Sequence, residues 1–178
     1  MFSKLFSLLL VSLVAFGQTQ INSPDSVRTL KDFKNYVINP DAAKNITTGV
    51  VNASSIMTHE TGASRLDGSV SFLIDGTASA QVVKFTLNSL PNKFKGSNAE
   101  CSFSYSYTTT NASGDYKFYA ESSAGAKVSA EQNLLTTDGN TRSNWIAFSP
   151  ASTLSNPYRL VIESTVASPA AMLVDTIY

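Results

Sequence analysis

The sequence predicts an all-β domain, a sandwich or barrel of antiparallel strands. Three observations carry this reading. From Asn35 onward, short runs rich in Val, Ile, Phe, Tyr and Thr alternate in polarity; clusters of Gly, Asn, Asp, Ser and Pro separate them; and no window holds a helical period over three turns. The run "CSFSYSY", Cys101 to Tyr107, is the plainest case. Period two places Cys101, Phe103, Tyr105 and Tyr107 on one face and Ser102, Ser104 and Ser106 on the other. Apolar burial is worth about 25 cal/mol per Å², so the rings are expected inside and the serines outside.

The opening "MFSKLFSLLLVSLVAFGQTQ" has Lys4 before an uncharged apolar run, Leu5 to Phe16, then small residues at Ala15 and Gly17. This is the pattern of a secretory signal peptide over residues 1–17, too short for a transmembrane span of about 20 residues. The chain is therefore expected to be secreted or held at the cell surface, and not membrane-spanning once the signal is removed. Residues 18–34 read as a polar lead-in broken by Pro24, with a helical turn expected around Val27 to Phe33.

The β-module is expected over 35–178, from strands in "NYVI", "GVVNASSIM", "SVSFLI", "QVVKFTLNSL", "CSFSYSYT", "YKFYAES", "NWIAFS", "YRLVIES" and "AMLVDTIY". Asp67-Gly68, Asp75-Gly76 and Asp138-Gly139 mark turns where glycine makes a positive φ cheap. Pro91, Pro150, Pro157 and Pro169 fall between runs, where a missing N–H harms no ladder. Alternation sends Val83, Phe85 and Leu87 inward against Val82, Lys84 and Thr86. It sends Tyr116, Phe118 and Ala120 inward against Lys117, Tyr119 and Glu121, and Tyr158, Leu160 and Ile162 inward against Arg159, Val161 and Glu163.

Charge narrows the partners. With Lys4 gone, twelve Lys and Arg face thirteen Asp and Glu, and no basic cluster occurs. Nothing draws such a chain to nucleic acid or to an anionic membrane. Cys101 is the only cysteine, so no intramolecular disulfide forms and the thiol is expected buried and inert.

The order of four segments resembles the jelly-roll carbohydrate-binding modules of the galactose-binding-domain-like superfamily. "KNYVINPDAAKNITTGV" is similar to their first strand and its Asn turn, and "FTLNSLPNKFKGSNAECSFSYSY" to their central stretch with a glycine before the ringed strand. "NWIAFSPASTLSNPYRLVIEST" resembles their Trp and Phe-x-Pro segment, and "AMLVDTIY" their last strand around an Asp. Similar domains occur in bacteriophage tail and bacterial surface fibre proteins. The resemblance implies a jelly-roll β-sandwich of two antiparallel sheets. It also implies a structural calcium joining the first and last strands through Asp41 and Asp175. Here Ala43 stands where the family has a Glu, with Lys44 beside it, leaving a carboxylate fewer for an ion that takes six to eight oxygens. The family's last strand runs a few residues further, so the chain is expected to be a fragment or the first module of a longer fibre or homo-oligomer.

No constellation points to catalysis. His59 is the single histidine, and no G-x-S-x-G elbow, P-loop, dinucleotide fingerprint or zinc spacing occurs. Asp67, Asp75, Asp115 and Asp138 sit in turn contexts, where an Asp side chain satisfies local backbone. His59 is expected at the surface, on a loop edge. Sugar binding asks for less: a flat ring ringed by hydrogen-bonding groups. Tyr119, expected outward between Lys117 and Glu121, and Trp145, out of phase with Phe148 and near Arg142, meet that requirement. The expectation is a non-catalytic module that attaches to glycan or cell-surface polysaccharide. The rival is a structural module of a surface fibre or envelope assembly.

Overall fold

A computed structural model describes residues 37–38, 42, 46–62, 66, 70–87, 99–108, 114–135, 141–150 and 157–178. The chain divides into two units, Met1–Asn35 and Tyr36–Tyr178, and every described residue lies in the second. The signal peptide, the lead-in with its helical turn, Asp41, and the Asp67-Gly68 and Asp138-Gly139 turns lie outside the described residues.

Twelve strands are described: β1 Val50–Val51, β2 Met57–Glu60, β3 Ser71–Ile74, β4 Val82–Thr86, β5 Ala99–Cys101 and β6 Ser104–Tyr107, followed by β7 Tyr116–Glu121, β8 Gln132–Asn133, β9 Thr141–Arg142, β10 Ile146–Phe148, β11 Arg159–Ser164 and β12 Met172–Asp175. They form two five-stranded sheets, β1-β4-β11-β7-β8 and β2-β3-β12-β6-β9, with β10 and β5 as a separate pair. All the pairings are antiparallel. This is the jelly-roll β-sandwich.

Alternation explains which side each strand buries. In the first sheet, Phe85 lies opposite Leu160 and Leu160 opposite Ala120, while Phe118 lies opposite Ile162, all facing inward and buried. In the second, Val174 lies between Phe72 and Tyr105, and Met172 between Ile74 and Tyr107. Rings bridge the two layers: Phe72 meets Phe85 with centroids 5.1 Å apart, and Phe103 meets Phe118 edge-on at 5.1 Å. Such tilted and edge-on pairs add to the apolar burial itself.

Several expectations need correction. "CSFSYSY" is not one strand. Cys101 pairs with Ile146 in the small sheet, whereas Ser104 to Tyr107 pair with β12. The chain changes sheets at Ser102–Phe103, and the backbone of Ser102 bonds both ways with that of Tyr178 instead. Phe103, Tyr105 and Tyr107 are inside as expected, but Ser102 is 0% exposed because other side chains cover its side of the sheet.

"GVVNASSIM" likewise breaks into β1 and β2. Asn52 closes the turn, its Oδ1 accepting from the amides of Ile56 and Met57 and its amide donating to the Met57 carbonyl. At Asp75-Gly76 the glycine has no positive φ. A Cβ there would come within 2.6 Å of Pro169 Cγ, so close approach demands glycine, and its N–H donates to the Tyr116 hydroxyl at 3.2 Å.

His59 is not on a loop edge. It lies in β2 opposite Phe72, with ring centroids 6.0 Å apart, and its Nε2 is buried without a hydrogen-bond partner among the described residues. Cys101 is buried as expected, and desolvation, aided by Glu100, pushes its thiol up to about 12.

Candidate functional site

The five residues singled out for sugar contact separate into two places. Lys117, Tyr119 and Glu121 alternate along β7 with Tyr116, Phe118 and Ala120, so their side chains occupy the outer face of the first sheet. Register brings Val161 opposite Tyr119, Arg159 opposite Glu121 and Glu163 opposite Lys117 on that face. Next along, Lys84 lies opposite Val161.

Opposite charges facing each other across strands close this surface. Lys84 Nζ bonds both Glu121 oxygens, at 2.8 and 3.0 Å, and Arg159 Nη1 reaches Glu121 at 3.5 Å. Lys117 lies 3.2 Å from Glu163 and 3.3 Å from Glu131. Tyr119 donates its hydroxyl proton to Glu163 at 2.9 Å, while Lys127, itself paired with Glu131, rests over its ring 4.4 Å from the centroid.

The outward Tyr119 is therefore not an open platform. It is 6% exposed, and Glu121 beside it is 2% exposed. Burial, with Glu163 and Glu121 nearby, raises the Tyr119 phenol well above the usual tyrosine range.

Trp145 and Arg142 do come together. Arg142 ends the short edge strand β9, opposite Ser104, and faces away from the core. Its Nε donates to the Ser102 hydroxyl at 3.0 Å. Its Nη1 donates to the Ser104 hydroxyl at 3.2 Å and to the Thr176 carbonyl at 3.0 Å. The guanidinium carbon then lies 4.6 Å from the Tyr178 ring and 5.7 Å from the indole of Trp145, within reach of cation–π attraction.

Trp145 is 45% exposed, just before β10, where the inward positions go to Ile146 and Phe148. A bare indole beside a cation clamped in one geometry can hold a ring on its face and hydrogen-bond a substituent at its edge. Sequence reasoning missed the clamp of Ser102, Ser104, Thr176 and Tyr178, and the covering role of Lys127 and Glu163. Period two gave the side of the serines, but only register brings Arg142 across them.

Asp175 is 1% exposed, with Oδ2 accepting from the Ser71 hydroxyl at 2.8 Å and Oδ1 from the Thr176 amide at 2.7 Å. No group of three or more His, Cys, Asp or Glu gathers among the described residues. Asp41, the other residue of the expected calcium pair, lies outside the described residues. No helix among the described residues is long and apolar enough to cross a membrane.

The fold is that of the jelly-roll carbohydrate-binding modules. No protein-family model and no curated protein matches the chain. Solved structures do. The CBM22-1 xylan-binding domain from Paenibacillus barcinonensis Xyn10C matches with a TM-score of 0.56 and 20% identity, over 82% of this chain and 94% of that one. TmCBM61 in complex with β-1,4-galactotriose matches with a TM-score of 0.54 and 12% identity, over 82% and 97%. The arabinose-bound α-L-arabinofuranosidase MgGH51 matches with a TM-score of 0.58 and 17% identity, over 81% of this chain but 25% of its own. The chain thus spans a quarter of that enzyme and nearly the whole of the separate modules. The expected jelly-roll likeness holds at the level of fold.

Proposed function

We propose that the domain is a non-catalytic glycan-binding module that acts after export, at a cell surface or in the medium. Trp145 is the stacking platform and Arg142 the hydrogen-bonding group beside it. The observation that carries this reading is the exposed indole next to a guanidinium held by three acceptors. The likeness to a xylan-binding domain and to a galactotriose-bound module supports it. A site of one ring gives modest affinity, and repetition of the module in a longer assembly raises it by avidity. Lys117, Tyr119 and Glu121 serve as the ionic cover of the other sheet.

The test is a polysaccharide panel against the full chain and its Trp145→Ala variant. Binding that the variant loses supports the reading. Absence of glycan binding, or equal binding by the variant, overturns it and favours a structural fibre module. Export is tested separately: the N-terminus of the protein recovered from the medium is expected at Gln18, and a retained Met1 would overturn the signal peptide.

A further inference from the structure

We propose that the Arg142–Trp145 corner selects acidic sugars, taking a uronic-acid carboxylate on the guanidinium while the pyranose ring lies on the indole. This deepens the glycan-binding reading and rests on it.

Arg142 differs from the paired cations among the described residues. Lys84, Lys117, Lys127 and Arg159 are each paired with a glutamate. Arg142 is held by two hydroxyls and a carbonyl, all neutral. Among the described residues, two carboxylates share this outer face: Asp175, beyond Ser104 on β12, bonded by the Ser71 hydroxyl and the Thr176 amide, and Glu60, two strands further on β2 opposite Ser71. Tyr178 is the other titratable group against the guanidinium, through its ring.

Partial burial disfavours the charged form of Arg142 and lowers its pKa, and only Tyr178 opposes that. Arg142 has no ion-pair partner among the described residues, and a cation partly removed from water gains more from an incoming anion than a solvated one does. Nη2 carries two N–H donors and has no hydrogen-bond partner among the described residues, while Nε and Nη1 are committed. A guanidinium fixed in this way presents donors to a planar carboxylate at little cost in side-chain entropy. The adjoining indole supplies what a free carboxylate does not need and a sugar does, a flat apolar face. Together the pair fits a ring that bears an acid.

The experiment uses the full chain and three ligand pairs, uronic-acid oligosaccharides of galacto, gluco and manno configuration, each against its own methyl ester. Isothermal titration is expected to show one acid bound about tenfold more tightly than its ester, the scale of one hydrogen bond to a charged group. The preference should shrink in about 0.5 M salt, where exposed charge is screened. Arg142→Gln should abolish the preference while Trp145→Ala weakens acid and ester alike.

The acid-against-ester comparison needs no variant, so a poorly folding Arg142→Gln leaves the test intact. Equal affinity for acid and ester overturns the proposal but leaves glycan binding standing. So does an acid preference that survives Arg142→Gln in a folded protein. If neither acids, esters nor the neutral panel bind, the glycan reading fails and this one with it.

Discussion

Two outward surfaces of the same sandwich pair a cation with an aromatic ring and end in opposite states. On the first sheet, Lys127 lies over Tyr119, and Glu163 accepts the phenol's hydrogen bond, so the ring is covered and every charge nearby has a counterpart. At the corner of the second sheet, Arg142 lies beside Trp145, but its partners are neutral and the indole is open. An aromatic with a cation is not a binding site by type. What decides is whether the protein itself has already satisfied both. The ionic surface behaves as an extension of the core, and the corner as a place left for something else.

The contrast breaks most visibly at Glu121. It joins Lys84 and Arg159 and is nearly buried, so Glu121→Gln leaves two cations without their anion on a closed surface. Breaking a buried pair costs 3–5 kcal/mol, and the partial exposure of the two cations discounts this to about 2–3 kcal/mol. Urea unfolding is expected to show that loss with an unchanged denaturant slope. A loss below about 0.5 kcal/mol would mean that the surface is loose and the contrast false.

Next comes Trp145→Ala, expected to weaken glycan binding at least about tenfold, in line with an interface tryptophan. It should change folding stability by less than about 1 kcal/mol, because nearly half of the side chain is already in water. A large stability loss would place Trp145 with the core instead.

The mildest test is Tyr119→Phe. Removing the hydroxyl from Glu163 is expected to cost about 1 kcal/mol and to leave glycan binding unchanged. It should also alter the alkaline limb. The phenol is raised in the folded state, so the unfolded chain ionises first, from about pH 10, while the folded ring stays neutral. Stability from this group is present below that pH and is lost as pH rises through it, and the Phe variant lacks its share of the loss. Circular-dichroism melts between pH 8 and 11 check the sign.

The sides of the sheets were legible in the sequence, and the coverings were not. Val83 and Phe85, Phe118 and Ala120, and Leu160 and Ile162 face inward as alternation requires. Tyr119, Val161 and Glu121 also lie on the side that alternation gives them, yet all three are buried. Period two fixes a side chain's direction within its own strand. Cover comes from Lys84 and Lys127 on other segments, and their approach depends on register and loop path.

The same limit hid β8 and β9, two residues each at sheet edges, where polar Gln132, Asn133, Thr141 and Arg142 show no alternation to read. Trp145 was found because an indole out of phase with Phe148 is visible in the sequence. The serines that hold Arg142 looked like any wet face.

The place of β12 has a mechanical meaning. It runs between β3 and β6 with ladders on both sides, and the Arg142 guanidinium fastens the carbonyl of Thr176 just beyond it. A pull directed along β12 must slide both ladders at once instead of unzipping them one bond at a time. Tension on that strand would be resisted in shear, by the anchor that also orients the open corner.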